Sequence, residues 1–98
     1  MAKFRLSLSA AKSIADIDAY TTESFGAKQA VRYLKNLLDR IEQLSEHPEH
    51  GKKRDELKVG YYSYFVGSHT IYYRLNDDYL EVIDVLHQSM EPQRHLPE

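Results

Sequence analysis

Hydrophobic and polar positions change period along the chain, and each change marks an element. Phe4, Leu6 and Leu8 alternate with Lys3, Arg5 and Ser7, the period of two of a short strand with one buried face. Ser9 stands where a helix N-cap is expected, its hydroxyl able to accept from an early backbone N–H, and Ala10, Ala11, Ile14, Ile17 and Tyr20 then share one helical face. That helix should end near Phe25-Gly26, because glycine tolerates the left-handed conformation past a helix end. A second helix is marked more strongly. Ala30, Leu34, Leu37, Ile41 and Leu44 step by 4, 3, 4 and 3, widened by Val31 and Leu38, with Lys28, Arg32, Lys35, Asp39 and Glu42 off the stripe. It should run to about Ser45, ahead of His47-Pro48. So short a break between two amphipathic helices predicts an antiparallel helical hairpin with its apolar face on a sheet.

Residues 46–56 read as a polar loop. From Leu57 the pattern becomes extended, with Leu57, Val59, Tyr61 and Phe65 on alternate positions and a turn at Gly67-Ser68. The stretch from Gly67 to Arg74 and the run from Val82 to His87 are rich in β-branched and aromatic residues, and Asn76-Asp77-Asp78 joins them as a β-hairpin. Val82 to Leu86 is apolar apart from Asp84, as in a central strand covered on both faces. Gln88 to Glu98, with Pro92 and Pro97, reads as an irregular tail. The order β-α-α-β-β-β predicts an α+β fold, a helical hairpin on a small, mainly antiparallel sheet, in a single domain over residues 1–98.

Composition narrows the functions. A chain of 98 residues holds a modest core, and a cofactor cage is not expected, so no cofactor is assigned. The absence of cysteine excludes disulfides and thiolate metal sites and fits a cytoplasmic location. No apolar run reaches the roughly 18 residues of a membrane span, so a soluble protein with no membrane partner is expected. The net charge of −2 divides unevenly: residues 1–54 carry 10 Lys and Arg against 7 Asp and Glu, whereas residues 55–98 carry 3 against 8. An acidic sheet half is a poor phosphate-binding surface, and sequence-specific nucleic-acid binding is not expected.

Gly60-Tyr61, Gly67-Ser68-His69, Ile71-Tyr72-Tyr73-Arg74 and Val85-Leu86-His87-Gln88 with Met90, preceded by Ser9-Ala10-Ala11, Phe25-Gly26, Tyr33-Leu34, His47-Pro48 and Gly51, resemble in order and spacing the ParE toxins of the RelE/ParE superfamily of bacterial toxin–antitoxin modules. The resemblance implies a plasmid-stabilisation type of toxin that inhibits DNA gyrase, blocks replication and growth, and is neutralised by a ParD-like antitoxin. It places the antitoxin along Ile17, Tyr20, Tyr33 and Leu37, of which Ile17 and Leu37 also read as plain core, and the target on His87, Gln88, Met90 and Arg94. Tyr62 departs from the arginine that commonly follows Gly-Tyr in ParE relatives. An inactive member that only binds antitoxin is a further alternative.

The RelE branch of the same superfamily contains ribosome-dependent mRNA nucleases, so the residues were weighed for that chemistry. Attack by an RNA 2′-hydroxyl needs a base, a cation for the charge growing on phosphorus and an acid for the leaving oxygen. Thr70 stands where that branch usually carries an arginine, and the extended run from Leu57 to Val66 offers only Lys58. His87 is the one catalytic candidate, under the ribonuclease alternative alone; otherwise no catalytic residue is assigned. His69, in the turn, reads as a local packing residue. Arg74 has Asp77, Asp78, Glu81 and Asp84 nearby as ion-pair partners. Lys52-Lys53-Arg54 is either a solvated run or an electrostatic contact with an acidic partner or with gyrase-bound DNA, and Tyr61, Tyr62, Tyr64, Tyr72, Tyr73 and Tyr79 read as sheet packing more than as base-stacking platforms. His47 and His50 have the i, i+3 spacing of metal ligands, but with Pro48 between them and no third ligand in view, no metal site is expected.

Overall fold

A computed structural model describes residues 3–97; Met1, Ala2 and Glu98, the ends of the expected domain, lie outside the described residues. Strand β1 (Phe4–Leu6) leads into helix α1 (Leu8–Phe25) and helix α2 (Ala27–Glu46). A single 3₁₀ turn (Pro48–His50) precedes β2 (Lys52–Lys53), β3 (Tyr61–Val66), β4 (His69–Leu75), β5 (Leu80–His87) and a one-turn helix α3 (Pro92–His95). The five strands form one sheet in the order β1-β5-β4-β3-β2, antiparallel except for the parallel β1–β5 pair. The α+β architecture with a helical hairpin is as expected, and among the described residues no helix is long and apolar enough to cross a membrane.

The first helix begins two residues earlier than its sequence pattern suggests, at Leu8 and not after Ser9. Ser7 is the cap because it serves two elements at once. Its Oγ accepts from Ala10 N–H at 2.9 Å and donates to the Ile83 carbonyl at 2.6 Å, while its N–H bonds Val82 O at 3.0 Å. Leu8 therefore leaves the strand pattern and points to solvent, 91% exposed. Gly26, at φ 91°, ends α1 and opens α2, so the hairpin turns on a single residue.

The α2 stripe packs as predicted. Leu37 and Ile41 are fully buried and Leu44 nearly so, each contributing about 1.5–3 kcal/mol relative to exposure. Val31 and Leu38, counted as widening the stripe, lie outside it and are exposed. The main core lies between the helices and one sheet face, joining Ile17, Leu37 and Ile41 to Ile71, Tyr73, Val82 and Val85. A smaller cluster of Tyr61, Tyr72, Ile83 and Leu86 occupies the opposite face, closed by Leu57 and Leu96. This second cluster gives the tail its structure: Leu96 seats beneath α3, and Tyr61 donates to the Pro97 carbonyl at 3.2 Å.

Two other expectations are revised. The polar loop contains β2, whose Lys52 and Lys53 pair with Ser63 and Tyr62 as a short, charged edge that resists further strand addition. The run from Leu57 is turn until Tyr61: Leu57 N–H and Lys58 N–H both bond Arg54 O, and Gly60 N–H bonds the Asp55 carboxylate. Val59 is accordingly exposed, and Phe65, on the same side of β3 as Tyr61 but outside the small cluster, is exposed as well. Tyr61, Tyr62, Tyr64, Tyr72 and Tyr73 pack on the sheet, Tyr62 stacking on Tyr73 with ring centroids 5.3 Å apart, whereas Tyr79 lies outside both clusters under the Arg5 guanidinium, 4.5 Å from its ring centroid. Arg74 pairs with Glu81.

Tyr73 has no exposed surface, and its hydroxyl donates to the Pro48 carbonyl at 2.7 Å, tying the loop after α2 to the core. Burial raises its pKa from 10.0 to about 12. Its unfolded counterpart ionises first, so the stability that Tyr73 supplies is complete below about pH 10 and falls as pH rises towards about 12. Melting temperatures of wild type and Tyr73→Phe should differ by a constant amount below pH 9.5, reflecting about 1 kcal/mol for the lost hydrogen bond. The gap should narrow at pH 11; a gap that stays constant or widens contradicts this account.

Candidate functional site

The turn end of the helical hairpin, the β3–β4 turn and the end of β5 enclose a two-part groove. One part, about 320 Å³, lies between Tyr20, Phe25 and Tyr33 on the helices and Ser68, His69 and His87 on the sheet. The other, about 380 Å³, continues past Tyr20, His69 and His87 to Ser13, Asp16, Asp84, Met90 and His95. Tyr20, His69 and His87 line both, so the two parts form one continuous surface.

Strand register brings the two histidines together. Pairing from the β4–β5 turn runs regularly to Tyr73 opposite Val82; then Tyr72 meets Asp84, so Ile83 is an extra residue in β5. That bulge shifts later pairs by one and sets His69 opposite His87 instead of Leu86. Their rings meet edge to face, 90° apart, with centroids 5.4 Å apart. Tyr33 reaches the same point from α2, its hydroxyl 2.6 Å from His69 Nδ1 and 3.1 Å from the Val66 carbonyl. A carbonyl only accepts, so the hydroxyl donates to Val66 and accepts from Nδ1–H, which assigns the His69 tautomer. His87 has the opposite tautomer: Ser89 N–H donates to its Nδ1 at 3.1 Å, and the Ser89 hydroxyl lies 2.7 Å away.

The floor of the second part shows how the edge of β5 is finished. β1 pairs only with Leu80 to Val82, so the rest of β5 has no strand on that side. Buried Asp84 fills the gap, its Oδ1 accepting from Val85 N–H at 2.8 Å and from Ser13 Oγ of α1 at 2.6 Å. One carboxylate thus satisfies the strand edge and fixes α1 against it.

The structure divides the predicted site residues differently from the sequence. Tyr20 and Tyr33, expected on an antitoxin face, and His87 and Met90, expected on a target face, all border this one groove. Tyr20 is 66% exposed and Met90 43%. Ile17 lines the groove wall while 92% hidden in the core, and Leu37 is wholly core, so Leu37 offers no surface to any partner and is withdrawn from the contact set. Gln88 and Arg94 lie off the groove; Gln88 N–H bonds Ser68 O at 2.8 Å, and Arg94 pairs with Glu91 at 3.1 Å. His69 takes a larger part than its turn position suggests. Counting residues from the hairpin tip would have placed it near His87, but not opposite it without the bulge. Among the described residues, neither part of the groove is lined by Lys or Arg. Elsewhere, the turn after α2 sets Glu49 beside His47 and His50, the third polar group that spacing alone did not reveal.

Residues 4–92 match a family described as the ParE toxin of the type II toxin–antitoxin system parDE. The chain is 38% identical over 96 residues to a Toxin ParE1 of Caulobacter vibrioides, covering 98% of this chain and 99% of that protein. It is 34% identical to a Toxin ParE1 of Mycobacterium tuberculosis, covering 96% and 97%. In fold it is similar to a chain of the chromosomal ParDE system of P. aeruginosa, at TM-score 0.76 and 12% identity, covering 89% of this chain and 96% of that one. A chain of the M. tuberculosis RelBE2 toxin–antitoxin complex matches at TM-score 0.52 and 20% identity, covering 87% and 95%.

His69 should titrate below the ordinary imidazole range, because burial disfavours its charge and His87 adds like-charge repulsion. As pH falls past about 6.5 the unfolded chain protonates first, so the stability due to His69 is complete above that pH and declines below it. In His87→Gln, imidazole NMR should show the His69 midpoint raised yet still below the usual value, since burial remains. An unchanged midpoint would show that the two rings are uncoupled.

Proposed function

The chain belongs to the ParE toxin family of type II toxin–antitoxin systems, within the RelE/ParE superfamily, and on that premise we propose that it inhibits DNA gyrase without chemistry of its own and is silenced by a ParD-like antitoxin seated in the groove. The observation that carries this reading is the groove's lining: exposed aromatic rings and a methionine, with no guanidinium or ammonium among the described residues. Such a surface suits a protein segment, whose apolar side chains need partners, more than an RNA backbone, whose phosphates need cations. Because Tyr20, His87 and Met90 line the same part of the groove, an antitoxin lying there also covers the neighbouring target-facing residues, which gives neutralisation by occlusion.

The paired imidazoles are the feature that favours a ribonuclease, since they bring an acid and a base to one place. Two arrangements oppose it. Rings in edge contact leave no room for a scissile phosphate between them, and Thr70 is buried in the sheet with no cation in its stead. Tyr62 reads in the same way. It is stacked on Tyr73 and half-buried, so it belongs to packing and does not replace an arginine's grip on a target.

Antitoxin-free protein added to gyrase, plasmid and ATP should inhibit supercoiling or trap gyrase-cleaved DNA. No effect at large molar excess of folded protein excludes gyrase, and cleavage of mRNA on ribosomes under the same conditions would establish the nuclease. Tyr20→Ser should leave the melting temperature within about 2 °C, since the ring is exposed, yet weaken binding to the purified antitoxin by about 2 kcal/mol, roughly 30-fold in Kd. Undiminished affinity would remove the antitoxin from this groove.

A further inference from the structure

We propose that the turn between α2 and β2 is a binding site for a divalent transition-metal ion of the zinc type, held by His47, Glu49 and His50. The three side chains place one ligand atom each within 4.8 Å of one another. His47 Nδ1 is 3.9 Å from Glu49 Oε2, and the His47 and His50 rings lie nearly parallel, 14° apart with centroids 5.0 Å apart. Two imidazoles and one carboxylate are the donor set that zinc accepts, and its tetrahedron needs donors about 3.3 Å apart. All three side chains are exposed, so rotamer adjustment alone can close that difference.

The backbone beneath them is already fixed. His47 N–H bonds Gln43 O at 2.8 Å at the end of α2, and His50 N–H bonds His47 O at 3.0 Å to close the 3₁₀ turn. Between the ligands, the Pro48 carbonyl accepts from buried Tyr73 at 2.7 Å. Beyond them, a Cβ on Gly51 would lie 1.8 Å from the Tyr73 hydroxyl, so the chain runs directly against that ring. An ion bound here therefore orders three side chains and not a loop, which lowers the entropic cost of binding. Three protein ligands leave a fourth position for water or for a side chain of a partner.

The site is independent of the proposed gyrase inhibition. His47 lies 14 residues beyond Tyr33 on α2 and its cap, about 21 Å along the helix axis. Occupancy can therefore stabilise the turn while leaving the groove open.

The test uses protein without a histidine tag, titrated with ZnCl2 against a fluorescent chelator. Wild type should bind one equivalent and melt at a higher temperature with zinc than with EDTA. His47→Ala/His50→Ala should melt as wild type does in EDTA, lose the zinc-dependent rise, and bind at least about tenfold more weakly; Glu49→Gln should bind more weakly than wild type but retain both imidazoles. The proposal is overturned if wild type takes up no zinc. It is equally overturned if the double variant binds as wild type does, which would move the ion to the groove histidines. Gyrase inhibition by the double variant equal to that of wild type is the expected result; its loss would refute the independence of the two sites.

Discussion

The fold depends on β5 pairing on both edges while being covered on both faces. Strand β1 joins it in parallel and β4 antiparallel, Val82 and Val85 face the helices, and Ile83 and Leu86 face the smaller cluster. A strand so enclosed can leave no backbone group unpaired, because each would lose its water without gaining a partner. Where β1 stops after Leu6, two side chains complete the edge. Ser7 bonds the Ile83 carbonyl and Asp84 bonds the Val85 N–H. Both also hold α1, Ser7 as its cap and Asp84 through Ser13. The position of the helical hairpin, and therefore the groove beside its turn end, follows from finishing that edge.

This dependence explains what the sequence does and does not reveal. Long-period information was plain: the α2 stripe from Ala30 to Leu44, the glycine break at Gly26, and the two strands around Asn76-Asp77-Asp78 are set by local periodicity and turn chemistry, and the structure has them. Helix α1 was misjudged by two residues because Ser7 and Ser9 are equal as isolated caps. Only the carbonyl of Ile83, 76 positions away, decides between them. Val59 and Phe65 were placed on alternate positions with Leu57 and Tyr61. The turn bonds to Arg54 delay the strand's start to Tyr61, which removes Val59 from the alternation, whereas Phe65 keeps the parity of Tyr61 and lies outside the small cluster that covers that face.

The groove was legible in its members and not in its assembly. Tyr20, Tyr33, His87 and Met90 were each picked out by residue type and family likeness, but they were divided between two faces. What unites them is the β5 bulge, which no local pattern announces. A bulge adds one residue to one strand and moves every later pair by one. Without it, register counted from the hairpin tip would set His69 against Leu86 and leave His87 beyond the strand pair. With it, an imidazole that read as a turn residue becomes the centre of a Tyr33–His69–His87 cluster.

That cluster also bears on what distinguishes chains that share one scaffold. The fold is shared with ParDE and RelBE chains at low sequence identity, and a fold alone does not fix an activity. The distinction rests on what the sheet end presents. Here His69 Nδ1 is engaged by Tyr33 and His87 Nδ1 by Ser89, so each ring has one nitrogen committed to holding the surface in place. Tyr33 and His69 tie α2 to β4, and the edge contact of His69 with His87 ties β4 to β5. The histidines thus tie the groove lining together across three elements. A preorganised surface loses less side-chain entropy when a partner segment folds against it, and the ties among these three elements meet that condition for the proposed antitoxin groove.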